Sequence, residues 1–248
     1  MTPLLTRIWN KLKSLRVTDR RHLYKYWEQD HLRRLLHHYE IDCVFDIGAN
    51  NGQYAKMLRK DARYTGLILS FEPNPVAAEK ARHLAANDPL WHVEQIAISA
   101  SDGLQSFHIM ADSQFSSLST PRHDETDLFR DWNKVTKTID VKTETVTTAF
   151  HRLQAKYGFK RPFLKMDTQG YDVKIVSHAG PALSEFLGLQ SELAVKKLYE
   201  NSMDFKKAIE VYESLGFELS AFVPNNGGHF PQLLETDCIM IRKTALHI

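Results

Sequence analysis

The stretch Val44-Phe45-Asp46-Ile47-Gly48-Ala49-Asn50-Asn51-Gly52-Gln53-Tyr54, VFDIGANNGQY, decides how this 248-residue chain reads. A short apolar run ends in a carboxylate, and two glycines four residues apart follow. A glycine loop between a strand and a helix lets backbone amides approach a ligand at the helix N-terminus. A dinucleotide fingerprint would read Gly-x-Gly-x-x-Gly. Here Asn50 places a side chain where a pyrophosphate needs close approach. Asp46 adds a carboxylate at the same mouth, and two negative groups repel most strongly in a dry site.

Outward from this loop, apolar runs alternate with helical patterns. Residues 66–71 read as a strand closed by Glu72-Pro73, and Val76–Ala86 as an alanine-rich helix that stops near Asn87-Asp88-Pro89. His92–Ile98 reads as a third strand, with Gln105–Met110 pairing beyond it in antiparallel fashion. Val141–Val146 alternates as a strand, followed by a helix over Thr148–Tyr157. Phe163–Met166 is a buried strand ending in Asp167, and Leu187–Leu193 another ending near Glu192. A helix over Phe205–Leu215 and strands over Phe217–Val223 and Asp237–Arg242 complete the chain. Such alternation predicts an α/β fold, a mostly parallel Rossmann-like sheet with helices on both faces. Ligands of these sheets bind outside the carboxyl ends of the strands. Asp46, Glu72, the segment Ile96 to Ser99, Asp167 and Glu192 therefore become the candidate ligand-facing residues.

A cationic cofactor reverses the sign of the Asp46 argument. S-adenosylmethionine (SAM) has no phosphate and carries an ammonium and a sulfonium, so a carboxylate at the end of the first strand suits it. Glu72 lies 24 residues after Gly48, at the end of the second strand, where a carboxylate accepts ribose hydroxyls. NAD enzymes use that device too, so Asp46 is what separates the cofactors.

Composition bounds the rest. The chain is 43% hydrophobic and 25% charged with a net charge of +2, which indicates a globular protein and no bulk affinity for nucleic acid. The charge is uneven: residues 1–38 hold nine Lys/Arg against three acids. This basic amphipathic segment sets off an N-terminal helical extension, 1–40, from the domain at 41–248. It is a packing arm or a weak peripheral contact for an anionic membrane surface. No run reaches the ~18 apolar residues of a membrane span, and no signal-peptide pattern is present. Cys43 and Cys238 read as buried free thiols of a reducing compartment, which gives a cytoplasmic expectation.

Taken together, FDIGANNGQY, FEPNP, IAISASDG, SSLST and LKMDTQGYDVKIVSHAG closely resemble the FkbM family of SAM-dependent methyltransferases in order and spacing. The resemblance runs from about Val44 to about Glu192. It implies a class I methyltransferase fold, a seven-stranded sheet whose last strand is antiparallel. It implies O-methylation of a hydroxyl on a sugar, a polysaccharide or glycolipid, or a polyketide-like small molecule. Carried onto matching positions, Asp46, Gly48, Asn50, Gly52 and Tyr54 would line the methionine side of SAM. Glu72 would bind ribose, Pro73-Asn74 would close over that edge, and the Ile96 to Ser99 turn, with Ala97 and Ser99, would border adenine. Family members often show Asp-x-Glu-Gly where this chain has Asp167-Thr168-Gln169-Gly170.

Methyl transfer needs alignment of the acceptor oxygen and removal of its proton. The candidates for that chemistry are Asp167, Glu192, His229 in the glycine loop NNGGHF, and Lys165, which leaves the same strand face as Asp167. Ser116 and Ser117 are candidates to hydrogen-bond the acceptor. No metal is expected, since Gln169 replaces the acid that would complete a carboxylate set. Two other functions stay open on sequence alone: an NAD-type oxidoreductase, which Asn50 and Asp46 oppose, and a non-catalytic SAM-binding module.

Overall fold

The computed structural model describes residues 23–122, 126, 129–224 and 231–247. Most of the basic amphipathic segment and the loop bearing His229 lie outside the described residues. The described helices are α1 (Leu23–His38), α2 (Gln53–Lys60), α3 (Pro75–Ala85), α4 (Val146–Tyr157), α5 (Asp172–Ser177) and α6 (Phe205–Ser214). The strands are β1 (Cys43–Ile47), β2 (Leu67–Phe71), β3 (Trp91–Glu94), β4 (Ala97–Ile98), β5 (Gly103–Met110), β6 (Val135–Glu144), β7 (Pro162–Met166), β8 (Gly188–Ala194), β9 (Phe217–Pro224) and β10 (Glu235–Arg242).

Seven strands form the main sheet in the order β3-β2-β1-β7-β8-β10-β9. Only β10 runs against its neighbours, pairing antiparallel with both β8 and β9. The order reverses between β1 and β7, and a crevice forms at such a switch point because connections leave it in opposite directions. β1, β2 and β7 are buried along their whole lengths, as a parallel sheet covered on both faces requires. Their alternate residues feed two apolar layers. Phe45, Phe71, Leu164 and Leu189 pack with α4 on one side. Val44, Ile68 and Phe163 pack on the other with Ala55 and Leu58 of α2 and with Leu32, Leu35 and Leu36 of α1. Helix α1 is thus anchored in the core of the main sheet. Cys43 and Cys238 are buried free thiols.

Three sequence expectations are corrected. The run His92–Ile98 is two strands: β3 ends at Glu94 in the main sheet, and β4 joins a separate three-stranded sheet. The break follows from pairing. Glu72 N–H takes the Glu94 carbonyl as the last β2–β3 bond, whereas Ala97 lies beside Thr143 of β6. The antiparallel partner of residues 103–110 is β6, not the third strand. That strand extends back to Val135 and stops at Glu144, because the Thr145 side chain accepts the Thr148 N–H and starts α4 at Val146.

Candidate active site

The loop after β1 needs left-handed backbone at three alternate positions: Gly48 (φ 74°), Asn50 (φ 45°) and Gly52 (φ 81°). A Cβ on Gly48 would overlap the carbonyl oxygen of Asp167, and one on Gly52 would press into the Trp91 ring. The asparagine at position 50 has its own reason. Asn tolerates the left-handed region better than other side chains, and its Oδ1 accepts from Ser113 Oγ at 3.2 Å.

Glu72 follows β2 and is buried. Its two oxygens accept from Asn50 N–H (2.7 Å) and Asn74 N–H (2.8 Å). Burial pushes its carboxyl up to about 7, although the two backbone hydrogen bonds pull the other way. Asn74 itself caps α3, its Oδ1 accepting from Val76 N–H.

Asp46 and Lys165 are paired residues of β1 and β7, so both side chains leave the same face of the sheet. Asp46 is 0% exposed. Its Oδ2 accepts from Ser70 Oγ (2.9 Å), whose oxygen accepts in turn from Trp91 Nε1 (3.0 Å). Lys165 Nζ lies 3.3 Å from Asp46 Oδ1 and 3.7 Å from Asp167 Oδ2, with Gly48 O at 3.4 Å and the Tyr54 ring 5.1 Å away. Burial works against this ammonium, but Asp46 and Asp167 hold its pKa above the ordinary lysine value. Asp46 is therefore not a lone carboxylate at the mouth; an ammonium stands beside it. Asp167 is the open member of the trio, with 43% of its side chain exposed.

Asp167 does not cap α5. That helix starts at Asp172, whose carboxylate gathers the turn: Oδ1 accepts from Thr168 N–H (2.9 Å) and the Thr168 hydroxyl, and Oδ2 from Ser191 Oγ (2.9 Å). Ser117 closes the turn from the other side, its hydroxyl within 2.9 Å of the Thr168 carbonyl and 3.0 Å of that of Gln169.

Two cavities flank this turn. The first, of about 370 Å³, is lined by Gly48, Glu72, Pro73, Ala97, Asp167 and Thr168, with Phe71, Ile98, Phe107, Leu118 and Tyr171 as apolar walls. Its apolar lining with a few polar groups is that of a small-molecule site. It fits SAM: flat apolar walls for a purine, a carboxylate for ribose, and a glycine where a side chain would intrude. The second, of about 420 Å³, is lined among others by Gln169, Glu192, Lys196, Tyr199, Ser202 and Glu235. Burial and the nearby carboxylates of Glu235, Asp167, Asp237 and Asp172 raise the Glu192 pKa well above the usual range.

Of the sequence candidates, Gly48, Glu72, Ala97 and Asp167 meet at the first cavity, and Glu192 lines the second. Lys165, Asp46 and Tyr54 sit behind the Gly48 loop. Ser99 is buried in the small sheet, where its hydroxyl donates to Gln105 Oε1. The Tyr54 hydroxyl donates to Gln190 Oε1 (2.9 Å), and Gln190 Nε2 donates to Glu28 of α1 (2.9 Å) and Asp237 of β10 (2.8 Å). Sequence reasoning missed Glu28, Asp172, Gln190 and Tyr199. Asp172 stands within the quoted stretch LKMDTQGYDVKIVSHAG, which was a signal for it; the other three depend on cross-element contacts that leave no local pattern. Among the described residues no group of three or more His, Cys, Asp or Glu is arranged to hold a metal.

A family model described as "Methyltransferase FkbM domain" matches residues 46–219. No curated protein sequence matches the chain. Among solved structures, the chain is similar to Aeropyrum pernix fibrillarin with natively bound S-adenosyl-L-methionine, at 12% identity over 81% of this chain and 66% of the other, with a TM-score of 0.43. It is similar to a putative caffeoyl-CoA O-methyltransferase from Staphylococcus aureus, at 10% identity over 98% and 92%, with a TM-score of 0.46. It is also similar to the methyltransferase FkbM from Methylobacillus flagellatus KT, at 12% identity over 81% and 43%, with a TM-score of 0.47. The chain thus spans just under two thirds of the fibrillarin and under half of the Methylobacillus protein.

Proposed function

The chain belongs to the FkbM family of SAM-dependent methyltransferases, and on that premise we propose that it methylates a hydroxyl of a sugar, glycolipid or polyketide-like small molecule. The observation that carries this reading is the pair of adjoining cavities with Asp167 between them. One is apolar-walled with Glu72 at its edge; the other carries the polar side chains of Gln169, Glu192, Lys196 and Glu235. The bound cofactor supplies an electrophilic methyl group, already activated by its sulfonium.

The chain's own residues do the rest. Gly48 leaves room beside the Asp167 turn, and Glu72 accepts the ribose hydroxyls. Asp167 would take the proton that the acceptor hydroxyl gives up on methylation. Lys165 holds that carboxylate toward the cleft and balances Asp46 behind it. Formally Asp46, Lys165 and Asp167 sum to −1, so the cleft keeps the negative sign that suits a cationic cofactor and repels a pyrophosphate. Glu192 faces the acceptor side as a hydrogen-bonding acid. The described residues contain no helix long and apolar enough to cross a membrane; we place the reaction in the cytoplasm, on the reduced state of both thiols.

The test is labelled SAM incubated with the protein and an extract of the source cell, with products read by mass spectrometry. A product about 14 Da heavier in the glycan or small-molecule fraction, released as an O-methyl ether, is expected. Label confined to RNA or protein would overturn the substrate class.

A further inference from the structure

Gln169 sits where two acids meet. Its backbone is left-handed (φ 55°) and held by the Ser117 hydroxyl. Its Nε2 lies 3.0 Å from Asp167 Oδ1 and 2.9 Å from Glu192 Oε2. Its Oε1 lies 3.1 Å from the Tyr199 hydroxyl, which also reaches the Phe115 carbonyl at 2.7 Å. The two acids fix which way the amide points, since the reverse would set its oxygen against both carboxyl groups.

The chemistry is particular to glutamine. An amide nitrogen carries two hydrogens, and here each goes to a different acid. An ionised glutamate of the same length has none to give. Asparagine has the amide but not the reach. The side chain lines the second cavity, and the acid it grips lines the first.

We propose that Gln169 is a positioning residue that divides the roles of the two acids, presenting Asp167 to the cofactor cleft as proton acceptor and holding Glu192 on the acceptor side. The proposal rests on the reading of Asp167 as the base. With one hydrogen to each acid, the amide keeps the two carboxyls from sharing one proton directly. Around this pair stand Lys165 from β7 and Asp46 from β1, Asp172 from α5, Glu235 and Asp237 from β10, and Glu28 from α1. Lys165 is the cation among these groups, and its ammonium lies nearest Asp46. The amide contacts both Asp167 and Glu192.

The experiment is a carbon-13 NMR titration of the Glu192 side-chain carboxyl in the full ligand-free chain, in wild type, Gln169→Met and Gln169→Glu. In wild type Glu192 is expected to titrate well above the ordinary carboxyl range. Gln169→Met keeps the length and removes the donor, so the Glu192 midpoint should rise above its wild-type value. Gln169→Glu adds a charge and should raise it further. A purely structural role would lower thermal stability and leave that midpoint in place. An unchanged Glu192 midpoint in both folded variants overturns the proposal. The parent reading is tested separately by Asp167→Asn in the labelled-methyl assay: full incorporation by that variant would overturn Asp167 as base, whatever the titration shows.

Discussion

Two glutamines in this chain make the same set of bonds for different ends. Gln190 accepts from Tyr54 and donates to Glu28 and Asp237. Gln169 accepts from Tyr199 and donates to Asp167 and Glu192. Gln190 lies within β8, 1% exposed, and fastens α1 to the sheet. Gln169 lies in a turn beside a cavity, and one of its acids is open to the cleft. The bond pattern alone therefore does not mark a site. What differs is the setting: the clamp is a fastening when the glutamine is enclosed within the sheet, and a positioning device when it and its acids line ligand cavities.

The comparison can be broken from the sealed side first. Leu32→Ala removes a fully buried side chain of α1 from the layer beneath Gln190. It should cost about 2–5 kcal/mol of stability, read by denaturant unfolding, and S-adenosylhomocysteine (SAH) should still bind the folded fraction. Gln190→Met leaves Glu28 and Asp237 without that donor and should cost about 1–3 kcal/mol. The Glu192 titration midpoint should stay at its wild-type value. A shifted midpoint in Gln190→Met would show that the two clamps are one network.

A pH effect sharpens the cofactor side. Glu72 in the free protein has its pKa raised to about 7, above the unfolded value. Its contribution to stability is therefore fully present below the unfolded pKa near 4.5 and is lost as pH rises through about 7. Ribose hydroxyls donate to the ionised carboxylate, so SAH binding should move the opposite way. Affinity should be about tenfold tighter at about pH 8 than at about pH 6, by calorimetry, and Glu72→Gln should flatten the profile. The smallest effect belongs to Lys142→Ala. Lys142 pairs with Glu144 from an exposed position, and its loss should change stability by less than about 1 kcal/mol and leave SAH binding unchanged.

Much of the cofactor half was legible because its signals are local. Strand, carboxylate and glycine turn follow one another in VFDIGANNGQY, and Glu72 sits where the next strand ends. Asn50 was read as an obstacle to pyrophosphate; the left-handed backbone and the bond to Ser113 add a conformational reason for it. Asp46 was read as the carboxylate that suits a cationic cofactor, and only the β1–β7 register reveals Lys165 beside it. The acceptor half was scarcely legible. Asp167 and Glu192 announced themselves as acids at strand ends, but the residues that organise them arrive from elsewhere: Tyr199 from a loop and Asp172 from the next helix. The split of 92–98 between two sheets has the same cause, since both pieces have strand-like composition and only pairing tells them apart.

The most direct test of the central claim, that the cleft between Gly48, Glu72 and Asp167 holds the cofactor, is calorimetric titration of wild type and Glu72→Ala with SAH. The account predicts micromolar binding by wild type and a loss of at least about tenfold in Glu72→Ala, in keeping with about 1.5–3 kcal/mol for hydrogen bonds to a charged group. Equal affinity in the two folded proteins, or no binding by wild type, would contradict it.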